Sequence, residues 1–226
     1  MKKIMFNDKY SLTQAVLDGR KTMTRRIIKC PRTFKGEWVA GFNIHRRHSD
    51  KKIVGWPYMY DADEREFDGG EILPRYKVGE IVAVAQSYKN AGFRPDKVLY
   101  RSIPDGYVKE TACCQKGWNN KMFVAPNLMP HQIRITDIKI KRLQNISDED
   151  CFKEGIFKWD AGQKDIPFYS FHYADIPDYN NPRDAFAELI DKVSGKGTWE
   201  SNPYVFVYEF ELVDYIKNIE HENHIS

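Results

Sequence analysis

Cysteine is scarce in this chain, with four in 226 residues, and its placement suits no metal. Cys113 and Cys114 are adjacent, Cys30 and Cys151 stand apart, and no C-x-x-C pair occurs, so a zinc pattern is missing. His45 with His48, and His221 with His224, lie in polar, charge-rich stretches and read as solvated side chains. Neither a metal nor any other cofactor is expected. Long apolar runs are absent too. None approaches the roughly 18 residues that span a bilayer, mean hydropathy is −0.62 and 30% of residues are charged, so no membrane role is expected. The start, Met1 to Asp8, has no long apolar stretch of the signal-peptide kind, and a cytoplasmic location is expected. Charge of one sign is also lacking. A net charge of +3 gives no overall polyanion signature, so a nucleic-acid surface would have to be a local patch. There is no internal repeat and no low-complexity block.

Aromatics, in contrast, are plentiful at 14%, which suits a β-rich core or surfaces on which bases stack. The length fits one decorated domain with a real core. Regular signals come in islands. Ser11 to Asp18 reads as a short amphipathic helix with a Ser11/Gln14 capping box and a stop at Gly19. Lys21 to Ile28 is rich in β-branched residues and reads as a strand. Val78 to Val84 reads as a turn entering a buried strand, and Val98 to Arg101 as a further strand. In the long island 133–143 the apolar residues fall at Ile133 and Ile135, then at Ile138 and Ile140. That phase change near Thr136-Asp137 predicts a β-bulge.

A second helix is predicted after Ser147, with Ser147/Asp150 capping, an Ile146–Cys151 staple and a stop at Gly155. A third begins at Asn181-Pro182, carries Phe186, Leu189, Ile190 and Val193 on one face, and ends at Gly195. Tyr204 to Leu212 closes the series as a strand with one buried face. The segments at about 30–75, 89–130 and 157–181 read as irregular insertions, and 214–226 as a polar tail. Trp118, Trp159 and Trp199 read as core or loop packing. These signals predict an α+β domain built on a small mixed β-barrel, with short flanking helices and long loop insertions.

The opening Gly19-Arg20-Lys21-Thr22-Met23-Thr24-Arg25 is the most informative stretch. A lysine and a threonine three residues apart at a helix-to-strand corner have the makings of a base and a nucleophile. They equally make a basic turn followed by an ordinary strand. Arg134, Lys139, Lys141 and Arg142 form either a phosphate-contacting strip or the solvated side of a strand.

Taken in order, several patterns together are distinctive. They are Leu17 to Arg26, Tyr76 to Val84, Met129-Pro130 with Arg134-Ile135, Arg142 to Ile156, and Trp199 to Phe210. In this order they resemble the ASCH domain family, most closely the larger ASCH proteins of phages and prophages. The match runs from about residue 4 to 212, with its strong parts covering less than half of that. The resemblance implies a single PUA-like domain over 1–213, of a kind often used to hold RNA or a modified base.

One bacterial branch of that family hydrolyses the amide of N4-acetylcytidine with a lysine, a threonine and a glutamate. Matching its motifs puts these on Lys21, Thr24 and Glu154. Amide hydrolysis needs a nucleophile, a group to take its proton and a donor for the leaving amine. Thr24 would attack and Lys21 would act as base, its pKa lowered by burial or by Arg20 or Arg25 nearby. Glu154 would activate water or orient Lys21, and Arg26, on Thr24's strand face by parity, would hold a phosphate or polarise the carbonyl. Arg20, Arg25, Arg26 and Arg134 are thus the candidate substrate-binding residues. Where phage-type relatives usually carry Arg-Glu after the strand that follows Gly79, this chain has Ala85-Gln86.

The expected activity is an amidohydrolase acting on an N4-acylated cytosine in a nucleoside, RNA or DNA. The alternative is a non-catalytic RNA, DNA or modified-base binder of phage origin. A metal-free nuclease is a third reading, and a host or phage protein partner stays open.

Overall fold

A computed structural model describes residues 1–103, 106–159, 167–172 and 179–213. In chain order the elements begin β1 (Lys2–Ile4), α1 (Leu12–Leu17), β2 (Met23–Ile27), β3 (Thr33–Phe34), β4 (Glu37–Trp38), β5 (Gly41–Asn43), β6 (Tyr58–Tyr60), β7 (Glu66–Glu71) and β8 (Ile81–Val84). There follow β9 (Val98–Ile103), β10 (Gly106–Thr111), β11 (Gln132–Arg142), α2 (Asp148–Lys153), β12 (Phe157–Trp159), β13 (Phe168–Ser170), α3 (Pro182–Ser194), α4 (Thr198–Ser201) and β14 (Tyr204–Val213). The fold is α+β.

Its frame is a five-stranded sheet in the order β1-β8-β11-β14-β2. β1 runs parallel to β8, and the other neighbours are antiparallel. The long β11–β14 ladder shifts register between Ile135 and Asp137, where the change of apolar phase predicted a bulge. That extra residue lets Ile133 and Ile135, then Ile140, all face the same core. β8 shows strand alternation in pure form. Val82 and Val84 enter the main core, while Ala83 and Ala85 face a second, smaller one with Tyr88, Leu99, Val124 and Met129.

The expected barrel does not close. Among the described residues β1 and β2 are free edges of the sheet. β1 has only three residues, and the chain leaves it at Met5 to enter α1 instead of pairing with β2. A side chain bridges the gap: the Arg26 guanidinium donates to the Met5 carbonyl at 2.7 Å. α3 faces this opening.

The insertions are more regular than their sequences suggest. Segment 30–75 holds a β3–β4 hairpin and a β5–β6–β7 meander. Segment 89–130 holds the β9–β10 hairpin and four single 3₁₀ turns. Segment 157–181 holds the β12–β13 hairpin. Most of these strands are two or three residues long, too short to show alternation. The predicted tail, 214–226, lies outside the described residues.

The helix ends separate real caps from apparent ones. Ser147 and Asn181 accept hydrogen bonds from the backbone N–H groups of Asp150 and Asp184, as their spacing predicts. The Ser11/Gln14 capping box does not form. Ser11 sits at φ 53° with no side-chain cap bond, and the Gln14 amide donates to Asp18. In that left-handed conformation the Ser11 hydroxyl is not aimed at the helix's first N–H groups. Asn181→Ala is therefore expected to cost about 1 kcal/mol in urea unfolding. Ser11→Ala should stay within about 0.5 kcal/mol of wild type.

Candidate active site

Three backbone bonds carry Lys21 to the end of α2. Lys21 N donates to Ala15 O at 2.8 Å, Thr22 N to Lys153 O at 2.9 Å, and Phe210 N to Thr22 O at 2.9 Å. Gly155, at φ 103°, turns the chain sharply beside Leu12 and Lys21, a conformation that side-chain-bearing residues rarely adopt. Glu154 is thereby the C-cap of α2 and is only 4% exposed.

Lys21, 3% exposed, reaches Glu154 twice. Its Nζ donates to the Glu154 carboxylate Oε2 at 2.6 Å and to the Glu154 carbonyl at 2.6 Å. The second bond satisfies a carbonyl that a helix end leaves without an internal partner. Arg25 occupies the other carboxylate oxygen, with Nη1 3.1 Å from Oε1, and its Nη2 pairs with Asp150 at 2.7 Å. Lys141 stands 3.5 Å from the same Asp150 oxygen. The result is an alternating chain of charges, Asp150, Arg25, Glu154 and Lys21, with a side chain of Arg25 that is wholly buried.

Burial pushes the Lys21 ammonium below the ordinary lysine value. The Glu154 charge and hydrogen bond oppose this, and the charges of Arg26 and Arg25 add to it. Burial alone would raise Asp150, but the hydrogen bond and charge of Arg25, with Lys141 behind it, hold it below the usual aspartate value.

Lys21, Thr24, Arg25, Arg26 and Glu154 all line one cavity of about 360 Å³, within the range of small-molecule sites. It lies in the open edge between β1 and β2. Phe6, Phe186, Leu189 and Ile190 supply apolar walls, and the exposed Arg26 and Lys29 stand at its rim. Thr24 is 5% exposed, and its hydroxyl makes no hydrogen bond with a described residue. Thr24 and Arg26 share the cavity, as strand parity predicts. Arg25, of opposite parity, also touches the cavity but spends its guanidinium on the internal charge chain.

Two predicted residues are not brought here. Arg20 lies outside the cavity lining, 3.2 Å from Asp18 and over the Phe157 ring. Arg134 projects from β11 toward Glu211, 3.7 Å away. The rest of the basic strip is matched as well: Lys139 binds Asp137 and Glu209, Lys141 meets Asp150, and Arg142 covers the Tyr204 ring. Trp199 packs against Phe186 behind the cavity wall.

Sequence reading missed Lys29, the aromatic walls and Asp150's second role. Asp150 read as a cap neighbour and dipole partner, yet its i, i+4 spacing to Glu154 already put two carboxylates on one helix face. Among the described residues no cluster of three or more His, Cys, Asp or Glu is placed to hold a metal. No helix among them is long and apolar enough to cross a membrane.

Glu154→Ala strips both buried cations of their shared carboxylate. It is expected to cost about 3–5 kcal/mol in chemical unfolding, as for other broken buried pairs. The Lys21→Met/Glu154→Leu double variant should recover part of that loss, and a double-mutant cycle measures the coupling. No family model, curated protein or solved structure matches the chain, so the functional reading rests on the geometry of this cavity.

Proposed function

We propose that this chain is an amidohydrolase removing an acyl group from N4-acylated cytosine. In this reading it is a cytoplasmic, ASCH-type protein whose curled, open sheet is a PUA-like barrel left unclosed at the substrate cavity. One observation carries the proposal. Lys21 and Glu154, 133 residues apart, meet at 2.6 Å on the floor of a cavity that also holds the unengaged Thr24 hydroxyl.

The apolar walls suit a flat base with an acyl group, and Arg26 and Lys29 at the rim suit the phosphate of a nucleotide or of RNA or DNA. Lys21 as the neutral amine takes the Thr24 proton while Oγ1 bonds the acyl carbon. The C–N4 bond breaks, and Lys21 returns that proton to N4, releasing the cytosine amine. Water then attacks the Thr24 ester. Its proton passes by way of Glu154 to the threonine oxygen as the ester C–O bond breaks, freeing the acid. Lys21 has to exchange one of its two Glu154 bonds for Thr24 to begin this sequence. Catalytic contacts commonly tighten only with substrate.

A second reading, binding of a modified base without turnover, is favoured by those same two bonds, which tie Lys21 down in the structure. A chromatographic assay with N4-acetylcytidine, its deoxy counterpart and an N4-acetylcytosine oligonucleotide separates the two. Hydrolysis predicts cytosine amine released by wild type, abolished in Thr24→Ala, and slowed about 10²–10⁴-fold in Lys21→Met. The rate should climb with pH and level off below the ordinary lysine value, because the reacting form is the neutral amine and burial lowers its pKa. Absence of product, with binding retained by both variants, would favour the binding protein.

A further inference from the structure

Cys113 and Cys114 are the chain's two exposed thiols, and they are neighbours. Cysteine is among the residue types most often buried, and burial does govern the other two. It pushes the Cys151 thiol up to about 12 and raises Cys30 as well, which holds both as unreactive thiols. The exposed pair sits in the 3₁₀ turn Ala112–Cys114 that follows β10. A strand would send adjacent side chains to opposite faces, but here both sulfurs come to one hydroxyl. Thr111 Oγ1 donates to Cys114 Sγ at 3.2 Å and lies 3.6 Å from Cys113 Sγ.

The backbone holds this arrangement in place. Ala112 N donates to Lys97 O at 2.8 Å, Cys113 N to Pro95 O at 3.2 Å, and Gln115 N closes the turn on Ala112 O at 3.2 Å. The Ala112 side chain is wholly buried in the smaller core with Leu99 and Tyr88. Two reactive groups fixed side by side on an anchored turn lose little further freedom when they join. Further metal ligands are missing, since among the described residues no cluster of three or more His, Cys, Asp or Glu is placed to hold an ion. What two adjacent thiols can do by themselves is bond to each other.

We propose that Cys113 and Cys114 form a reversible modification site, a vicinal dithiol that closes to a disulfide ring by exchange with a low-molecular-weight disulfide. One thiolate attacks that disulfide, forming a mixed disulfide as the S–S bond breaks and the first small thiol leaves. The neighbouring thiolate attacks the protein sulfur of the mixed disulfide, closing the ring and releasing the second small thiol. The two cysteines are oxidised, the small disulfide is reduced to two thiols, and the protons of the cysteines end on them. Consecutive Cα atoms are about 3.8 Å apart, closer than the roughly 4.4 Å or more of most disulfides. The ring is therefore strained and readily reduced again. None of these residues lines the cavity of Lys21, so the site is independent of the hydrolase reading.

A redox titration in glutathione buffers tests this. The folded protein, and the same protein in urea, are equilibrated at one pH and one glutathione ratio. They are then quenched with acid, blocked with N-ethylmaleimide and cut with trypsin. Cleavage after Lys109 and Lys116 puts both cysteines on the peptide Glu110 to Lys116, where the ring shows as the loss of two hydrogen masses and the absence of label. The ring-to-dithiol ratio should be about tenfold or more higher in the folded chain, the advantage of holding the sulfurs together. Thr111→Val removes the hydroxyl that the sulfurs share. It should lose most of that advantage when folded, with no change in urea. A folded-chain ratio equal to or below that in urea, glutathione adducts on Cys113 or Cys114 in place of the ring, or a Thr111→Val ratio matching wild type would overturn the proposal. The comparison of folded with urea-unfolded chain uses wild type alone, so it stands even if the variant folds poorly.

Discussion

The buried run of alternating charge from Asp150 through Arg25 and Glu154 to Lys21 is what the rest of the structure is arranged around. Removing these groups from water costs several kcal/mol per ion, repaid only when each finds a partner in good geometry. Each ion has a partner: the run alternates in sign, its contacts lie between 2.6 and 3.1 Å, and a backbone carbonyl accepts a further hydrogen bond from Lys21, with Arg25 Nε alone left buried without a partner among the described residues. Such a network does little for net stability compared with an apolar core of the same volume. Its effect is to specify which surfaces meet, because any misdocking of α2 on the sheet strands a charge.

The open edge lies on the far side of the strand that carries this network. β2 carries Thr24 and Arg25, β14 pairs it in register through Tyr208 and Val207, and the bulge in β11 keeps both halves of that strand facing one core. The neighbour that would close the ring on β2's other side is β1, but the chain turns away at Met5. A closed ladder would fill the space that Thr24, Arg26 and the α3 side chains now line. The cavity exists because the sheet stays open there.

Much of this was legible in advance, and for identifiable reasons. The bulge, the caps at Ser147 and Asn181, and the turns at Gly19 and Gly155 are set by neighbours within a few residues, which sequence displays. The association of Lys21, Thr24 and Glu154 was legible only through resemblance to a family, since nothing local announces a contact across 133 positions. Arg25 illustrates the limit. As one of several basic residues in a row it read as a candidate for substrate, whereas its burial and partners are decided by where α2 docks. Ser11 failed for the opposite reason: its spacing fitted a capping box, but the Asn7-to-Leu12 turn forces a left-handed backbone there. The short strands of the insertions carry too few residues for any periodicity to register.

The charge chain also bears on which member can give up a proton. With Lys141 included, the group holds Asp150 and Glu154 against Arg25, Lys21 and Lys141, one positive charge in excess. Lys141 is more than a third exposed, so the buried members already stand two against two, and loss of a proton from Lys21 gives up its pairing with Glu154. Glu154 divides its oxygens between Arg25 and Lys21, so one carboxylate serves two buried cations. Lys21 is also the terminal member, the one beside Thr24 in the cavity. The arrangement that fixes α2 on the sheet therefore puts into the cavity lining, with Thr24, a lysine whose burial favours the neutral amine while its Glu154 partner opposes it.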